Sequence, residues 1–246
     1  MAAYSLASSL ALALDPVRWA KSKSIDPDPW QADVLRCADK KILLNCSRQS
    51  GKSLIAAVIG THTAIYRPGS LVLVLAPSLR QSGELYRMVR LLYDGVSDAE
   101  SRTLLELENG SRVVCLPGTE KTVRSFSAVD LLLIDEASRV DDDLFVALRP
   151  MLAVSRGRVV ALSTPFGRRG WWYEAWRGPE NWKRVMVTAE QCPRITKEFL
   201  EEERRTIGDW WYEQEYECQF KDTDDVVFTV DEIDTLFSHD IVPFPV

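Results

Sequence analysis

The eight residues 46–53 carry the clearest chemical pattern of the chain. They are Cys46, Ser47, Arg48, Gln49, Ser50, Gly51, Lys52 and Ser53. An apolar run (41–45) precedes them and another (54–59) follows, which is the order strand, tight loop and helix. Backbone N–H groups of such a loop bind a phosphate chain together with the positive end of the helix dipole. Lys52 would reach the β- and γ-phosphates, and the Ser53 hydroxyl would be a ligand of Mg²⁺.

One position departs from the usual phosphate-loop pattern, because Cys46 stands where that pattern has glycine. The motif Gly-Lys-Ser alone is weak evidence, since it also recurs in ordinary loops. The alternative is a plain strand–turn–helix with an exposed lysine. The flanking apolar strand and helix favour the nucleotide site.

Two adjacent carboxylates, Asp135 and Glu136, follow the apolar run 131–134. The carboxyl end of a buried strand is where α/β sheets place their ligands. Asp135 would hold Mg²⁺ through water, and Glu136 would act as general base on the attacking water. The alternative is a strand that runs into an acidic turn, since three aspartates follow at 141–143.

Two further segments are candidates for nucleotide contact. The apolar run 158–162 ends in Ser163 and Thr164, whose hydroxyls could sense a γ-phosphate. Upstream of the phosphate loop, Gln31 could both donate to and accept from an adenine edge, and Trp30 offers a stacking face. The alternative for this pair is a helix N-terminus with a buried tryptophan.

Strands and helices alternate from 41 to 165, which predicts a doubly wound, mostly parallel α/β sheet. The continuous apolar strand 71–76 is typical of a sheet covered on both faces. A helix is expected over 79–93, and a hairpin with a type I′ turn around Asn109-Gly110. The basic face of that helix (Arg80, Arg87, Arg90) is either solvated or a DNA contact.

The ends of the chain differ from this central part. Residues 5–20 predict a helix broken near Asp15-Pro16, too short to span a bilayer. After residue 182 we expect a strand (184–188) and two helices (196–205 and 209–220). We divide the chain into a P-loop ATPase core with a helical extension (1–180) and a small lid or linker subdomain (181–246). The apolar end without a polar cap suggests that a further domain follows.

Composition limits the possible functions. The 30 basic and 36 acidic residues give a net charge of −6, which argues against a protein that coats nucleic acid over its whole surface. A local basic patch stays possible. Five scattered cysteines favour a reduced cytosolic protein without disulfides or a zinc site. Two distant histidines argue against imidazole chemistry.

Taken in order, these motifs resemble the ATPase domain of phage terminase large subunits, the motors that package viral DNA into a procapsid. The resemblance spans roughly 15–240 and rests on Trp30-Gln31, the loop 46–53, Val-Arg-Ser-Phe-Ser-Ala-Val-Asp (123–130) before Leu-Leu-Leu-Ile-Asp-Glu-Ala (131–137), and Leu-Ser-Thr-Pro-Phe-Gly (162–167). It implies a RecA-like P-loop NTPase of the ASCE type that hydrolyses ATP with Mg²⁺.

Most of the residues above match motifs of that family. Lys52 and Ser53 match its Walker A motif, and Asp135 and Glu136 match the Walker B aspartate and catalytic glutamate. In the same way, Gln31 matches the adenine-contacting glutamine and Arg48 the arginine common within the loop. The segment 163–165 matches the motif that couples hydrolysis to motion.

The resemblance places an arginine finger, which acts on a neighbouring subunit, at Arg124. Ser125 departs from the glycine that is common after it. Arg139, Arg168 and Arg169 are rivals for this role.

Partners implied by the family are double-stranded DNA, the portal protein and the small terminase subunit. Copies would form a homo-oligomeric ring on the procapsid, while the isolated chain is expected to be a monomer. The expected location is the cytoplasm of the infected bacterial host, transiently at the portal and away from membranes. Because the carboxylate cluster of the family's nuclease domain is absent, we expect no nuclease activity from this chain.

Two other functional classes remain as alternatives. A superfamily-2 helicase fragment shares the glutamine, Asp-Glu-Ala and Ser-Thr-Pro signals, but it needs a second RecA-like domain, for which no sequence remains after 170. A non-catalytic nucleotide-binding docking module is the other class, and the departure at Cys46 motivates it.

Overall fold

The structure is a computed structural model that describes residues 6–117, 126–222 and 235. Its helices are α1 (Leu6–Leu14), α2 (Pro16–Ser22), α3 (Pro29–Arg36), α4 (Lys52–Tyr66), α5 (Leu79–Leu92), α6 (Asp142–Leu148), α7 (Gly170–Arg177) and α8 (Lys197–Glu215). Its strands are β1 (Lys41–Cys46), β2 (Leu71–Ala76), β3 (Ser97–Glu100), β4 (Leu104–Leu107), β5 (Arg112–Pro117), β6 (Leu131–Asp135), β7 (Arg158–Ser163) and β8 (Lys183–Val187). Short 3-10 helices occupy 137–139, 149–152 and 189–191.

These strands form one sheet in the order β3-β4-β5-β2-β6-β7-β1-β8. In this order the six strands from β5 to β8 run parallel, and β3 and β4 are antiparallel at one edge. The doubly wound, mostly parallel fold is therefore confirmed. Because β7 lies between β1 and β6, the carboxyl ends of these three strands meet at the middle of one sheet edge.

Both faces of the sheet are covered, which explains the apolar strands. Alternate residues of β1 point to opposite sides, so that Ile42 and Leu44 pack with α2 to α5 while Leu43 packs with α6 and α7. In β2 and β6 every residue is buried. Helices on two faces therefore fix the central strands and hold the ends of β1, β6 and β7 in register.

At the N-terminus, the expected break is confirmed, since α1 and α2 are separated by Asp15. Its side chain accepts a hydrogen bond from the Val17 N–H at 3.0 Å and so caps α2. Among the described residues, no helix is both long and apolar enough to cross a bilayer.

Several expectations need correction. The hairpin at 104–117 forms, but its turn is not type I′, because Gly110 has a positive φ (+78°) and Asn109 does not. The aspartates at 141–143 cap and begin helix α6 instead of forming an acidic turn. By contrast, the expected helices at 196–205 and 209–220 are confirmed as two helical segments within α8, which are separated by the non-helical Gly208 (φ +79°), and the second segment ends at Glu215.

The first strand of the predicted subdomain 181–246 belongs to the central sheet. Residues 183–187 form β8, which pairs in parallel with β1 over Ile42–Cys46. The core therefore extends past residue 180. The division of the remaining chain into a lid or linker stays a prediction, and residues 223–234 and 236–246 lie outside the described part.

Gly157, just before β7, tests how tightly β6 and β7 are held together. A Cβ at this position would lie 2.1 Å from the Val129 carbonyl oxygen and 2.8 Å from Leu152 Cδ2. We expect Gly157→Ala to lower the free energy of unfolding by about 1–3 kcal/mol in urea titrations, because backbone atoms must move. Gly83→Ala in α5 is the control, since a Cβ at this position meets open space. This change should raise the free energy of unfolding by about 0.5–1 kcal/mol, because alanine is favoured over glycine within a helix. Equal effects of the two changes would contradict this packing.

Candidate functional site

Three strand ends assemble the predicted site. The phosphate loop follows β1, the two carboxylates end β6, and Ser163 ends β7. The Ser53 hydroxyl donates to Asp135 Oδ2 at 3.4 Å, although the two residues are 82 positions apart in the chain. The fold thus brings together the two residues that the sequence assigned to Mg²⁺.

The phosphate loop folds around its own lysine. Lys52 is 8% exposed, and its ammonium donates to the Ser47 carbonyl at 3.3 Å. The Ser50 hydroxyl donates to the same carbonyl at 2.9 Å. The salt bridges of the described residues include none of Lys52, although its buried ammonium is near enough to Asp135 to favour the charged form of that carboxylate. An anion such as a phosphate chain fits that charge.

Cys46 is the last residue of β1 and pairs with Val187 of β8. Its side chain is fully buried in the hydrophobic core, and this burial raises the pKa of the thiol. The departure from glycine is therefore accommodated by packing. A contribution of Cys46 to ligand binding would come from its backbone, because its thiol points into the core.

The two carboxylates differ in environment. Asp135 is 8% exposed, and burial, followed by the nearby Glu136 carboxylate, raises its pKa to about 6. Glu136 is only partly buried and adopts a left-handed conformation (φ +50°), which costs about 1–3 kcal/mol for a residue with a side chain. Its N–H donates to Asp135 Oδ1 at 3.0 Å. The two carboxylates therefore differ in exposure, so they can have different roles.

Ser163 and Thr164 are buried at the end of β7. Ser163 Oγ lies 2.7 Å from Ser138 Oγ, in the short helix that follows Glu136. The structure therefore connects the predicted γ-phosphate sensor to the carboxylate side of the site. The sequence analysis did not identify Ser138.

Gln31 and Trp30, the two candidate residues upstream of the phosphate loop, lie in different surroundings. Gln31 is 3% exposed and donates from Nε2 to the Ser50 carbonyl at 3.2 Å, so it lies against the phosphate loop. Its Oε1 accepts from the Asp28 N–H at 2.9 Å, which caps its own helix. Trp30 instead borders a cavity of about 580 Å³ beside β8, and none of the described residues that line this cavity belongs to 46–53. The structure therefore brings only Gln31 to the loop.

Glu215 and Arg194 also contact the loop, and the sequence analysis found neither. Arg48 Nε donates to Glu215 Oε2 at 2.6 Å, and the Arg48 N–H donates to the Glu215 carbonyl at 3.2 Å. Arg194 Nη2 donates to the Ser50 carbonyl at 3.2 Å. Because Glu215 is 167 positions away from Arg48 and Arg194 is 144 away from Ser50, no local pattern could have indicated these contacts.

The finger candidates have different surroundings. Arg124 lies outside the described residues. The Arg139 guanidinium lies 4.0 Å from the Phe166 ring centre and borders a cleft of about 460 Å³ that also contains Arg48. Arg168 is bonded to the Phe220 carbonyl and to Asp222, whereas Arg169 lies 5.7 Å from the Phe166 ring centre.

A family of known proteins matches most of this chain. The family described as "Terminase large subunit, T4likevirus-type, N-terminal" matches residues 43–235. The chain is similar to the terminase large subunit of Escherichia phage T5, with 30% identity over 192 residues that cover 71% of this chain and 42% of that protein. A second relative, the terminase large subunit of Thermus phage G20c, is 24% identical, and the match covers 82% of this chain and 50% of that protein. The chain spans about half the length of the curated relatives it matches.

One solved structure confirms the fold class. The large terminase ATPase domain of Thermus phage P74-26 has a TM-score of 0.71 and 22% identity, covering 83% of this chain and 98% of that one. At this identity the likeness shows a common fold, which is the RecA-like mixed sheet expected from the sequence.

The raised pKa of Asp135 predicts a pH dependence of the nucleotide- and metal-free protein. Because the folded state holds this proton more tightly than the unfolded chain, stability is lost as the pH rises from ~4 to ~6. Asp135→Asn should therefore raise the free energy of unfolding at pH 7.5 in EDTA by up to about 3 kcal/mol, and the gain should vanish near pH 4.

The control is Asp98→Asn on the exposed strand β3, which should change stability little at either pH. Urea titrations at several pH values measure both variants. A gain for Asp135→Asn that does not depend on pH would contradict burial of an ionisable carboxylate as its cause.

Proposed function

Because this chain belongs to the terminase large subunit family and matches its N-terminal region, we propose that it is an Mg²⁺-dependent ATPase motor domain that translocates double-stranded DNA into a viral procapsid. The observation that carries this proposal is the pairing of Ser53 with Asp135 beside the buried ammonium of Lys52. Hydroxyl and carboxylate oxygens are suited to Mg²⁺, and a buried ammonium is suited to phosphate.

The residues of the phosphate loop bind the triphosphate in this proposal. Backbone N–H groups of 49–53 and the N-terminus of α4 face the phosphate chain, and Lys52 turns from the Ser47 carbonyl to the β- and γ-phosphates. Ser53 and Asp135 hold Mg²⁺, which neutralises charge on the β- and γ-phosphate oxygens when bound.

Glu136 carries the chemical step. A water oxygen attacks the γ-phosphorus, its proton passes to the Glu136 carboxylate, and the bond from γ-phosphorus to the bridging oxygen breaks to leave ADP and phosphate. Its greater exposure suits this role, since the buried Asp135 would hold the metal while Glu136 remains available to water.

Two contacts connect this site to the rest of the chain. Ser163 and Ser138 connect the end of β7 to the turn that holds Glu136, as expected for a coupling motif. The ion pair of Arg48 with Glu215 connects the phosphate loop to the end of α8. We expect rearrangement of these contacts during hydrolysis to move α8, which supports its predicted role as a lid or linker.

We further propose that ATP is bound with Gln31 near the adenine, and that the partners are DNA, the portal protein, the small terminase subunit and further copies of this chain in a ring. The large terminase of a thermophilic bacteriophage has been solved in complex with ADP, and it shares this fold at a TM-score of 0.61 and 10% identity, covering 85% of this chain and 52% of that one. Activity is expected in the host cytoplasm and at the procapsid portal. DNA cleavage is not part of the proposal.

Family membership does not favour the helicase alternative. The docking-module alternative also loses its motivation, since the Cys46 side chain packs in the core and leaves Lys52, Ser53 and Asp135 assembled.

Glu136 provides the first test. Glu136→Ala should bind Mg²⁺-ATP with near wild-type affinity by calorimetry, because Glu136 acts only on water. Its single-turnover hydrolysis rate should fall by about 10²–10⁴-fold. Lys52→Ala should instead lose ATP binding. The control is Glu198→Ala, an exposed residue at the start of α8, which should leave binding and turnover unchanged. Near wild-type turnover by Glu136→Ala would remove it from the role of base.

Arg124 is tested by mixing subunits on DNA and proheads. If it acts on a neighbour's nucleotide, Arg124→Ala subunits with intact loops and Lys52→Ala subunits with intact fingers should restore each other's ATPase activity. A finger typically contributes about 10³–10⁵-fold in rate, so the isolated chain should hydrolyse slowly. The same mixture with Arg139→Ala compares the rival in the cleft beside Arg48. No recovery with Arg124→Ala at any ratio would count against a shared site.

A further inference from the structure

The carbonyl of Ser50, within the phosphate loop, receives two side-chain donors at once. Gln31 Nε2 and Arg194 Nη2 each lie 3.2 Å from its oxygen. One donor comes from α3, before the loop, and the other from the connection between β8 and α8, near the end of the described chain. Two separate segments therefore hold one peptide group of the loop.

Asp28 closes these contacts into a ring. Arg194 donates in a bidentate manner to Asp28, from Nη1 to Oδ1 at 2.9 Å and from Nη2 to Oδ2 at 2.7 Å. The Asp28 N–H donates to Gln31 Oε1 at 2.9 Å. Bidentate arginine–carboxylate pairs fix the plane of the guanidinium. Gln31 and Arg194 are thus each oriented by Asp28 before they reach Ser50.

Fixing this carbonyl fixes the next amide. A trans peptide is planar, and its N–H points opposite to its C=O. With the Ser50 oxygen directed at Gln31 and Arg194, the Gly51 N–H must face the other way. Gly51 has φ +86°, and a Cβ there would lie 2.8 Å from Gln31 Nε2, so only glycine fits against the ring.

We propose that Arg194 is a positioning residue of the phosphate loop, which acts with Gln31 through the Ser50 carbonyl to hold the Gly51 N–H in the orientation that receives a phosphate oxygen. This inference rests on the proposed function of the loop as an ATP site. The role assigned to Arg194 is exerted through the Ser50 carbonyl. Its position between β8 and α8 also joins the loop to the start of the predicted lid.

Binding of inorganic pyrophosphate, which has no base, distinguishes a role of Arg194 in orienting the phosphate loop from a direct contact of Arg194 with the adenine base. Calorimetric titration of the full chain in Mg²⁺ buffer gives affinities for pyrophosphate and for ATP. Arg194→Leu should weaken both by a similar factor of about ten, because one charge-assisted hydrogen bond that orients the loop is lost. Arg194→Lys keeps one donor and should recover part of the loss for both ligands.

Arg36→Leu is the matched control. Arg36 lies on α3 and also makes a bidentate pair with an aspartate, from Nε and Nη2 to Asp15 at 3.2 and 2.9 Å. This pair lies away from the phosphate loop, so its loss should change the melting temperature but neither affinity. If Arg194→Leu fails to fold, Asp28→Asn is the alternative, because it removes the charge that orients Arg194. This variant should lower the affinities for pyrophosphate and for ATP by a similar factor.

Unchanged affinities for both ligands in a wild-type-like Arg194→Leu fold would overturn the proposal. Weakened ATP binding with unchanged pyrophosphate binding would also overturn it, and would assign Arg194 to the base instead. A wild-type chain that binds neither ligand would contradict the proposed ATP site itself. If the wild-type chain binds both ligands and Arg194→Leu binds them equally well, the proposed ATP site stands and only the role of Arg194 is rejected.

Discussion

A buried ammonium beside a buried carboxylate is the constraint around which this site is organised. Lys52 is nearly covered, yet its described contact is a single carbonyl of its own loop. Removing a charge from water is costly unless it is paired. The neighbouring Asp135 has a raised pKa and is itself disfavoured in its charged form by burial. In the proposed function, phosphate would bind to the Lys52 ammonium and Mg²⁺ to the Asp135 carboxylate.

The loop that carries Lys52 is held from three directions. The Ser47 N–H donates to Val187 of β8 at 2.9 Å, Arg48 pairs with Glu215 of α8, and Ser50 receives Gln31 and Arg194. These partners come from the edge strand β8, the connection that follows it, the long helix α8 and the N-terminal helix α3. These contacts connect the loop to segments that lie far from it in sequence, which suits the proposed coupling of the nucleotide site to the rest of the chain.

The arginines on the surface of α5 are mostly paired with carboxylates, which is consistent with the acidic composition of the chain. Two of its three arginines are paired within the chain, Arg87 with Glu84 and Arg90 with Glu100, each at 2.8 Å. The cleft of about 1100 Å³ beside this helix contains both carboxylates. These pairs favour the solvated face over a DNA contact for this helix.

Local sequence determined the elements and the chemical residues, because the signals are short-range. A continuous apolar strand, a Gly-Lys-Ser loop and a carboxylate pair each follow from neighbouring residues, so the parallel sheet, Lys52, Ser53, Asp135 and Glu136 were all anticipated. Tertiary structure alone decided which partners they meet. Strand order places Ser53 against Asp135, and it brings Glu215 and Arg194 to the loop from the other end of the chain. Trp30 and Gln31 are adjacent in sequence, but successive residues of a helix point about 100° apart, so only one of them faces the loop. Spacing along the chain does not encode these distances, since they depend on how the strands are ordered in the sheet.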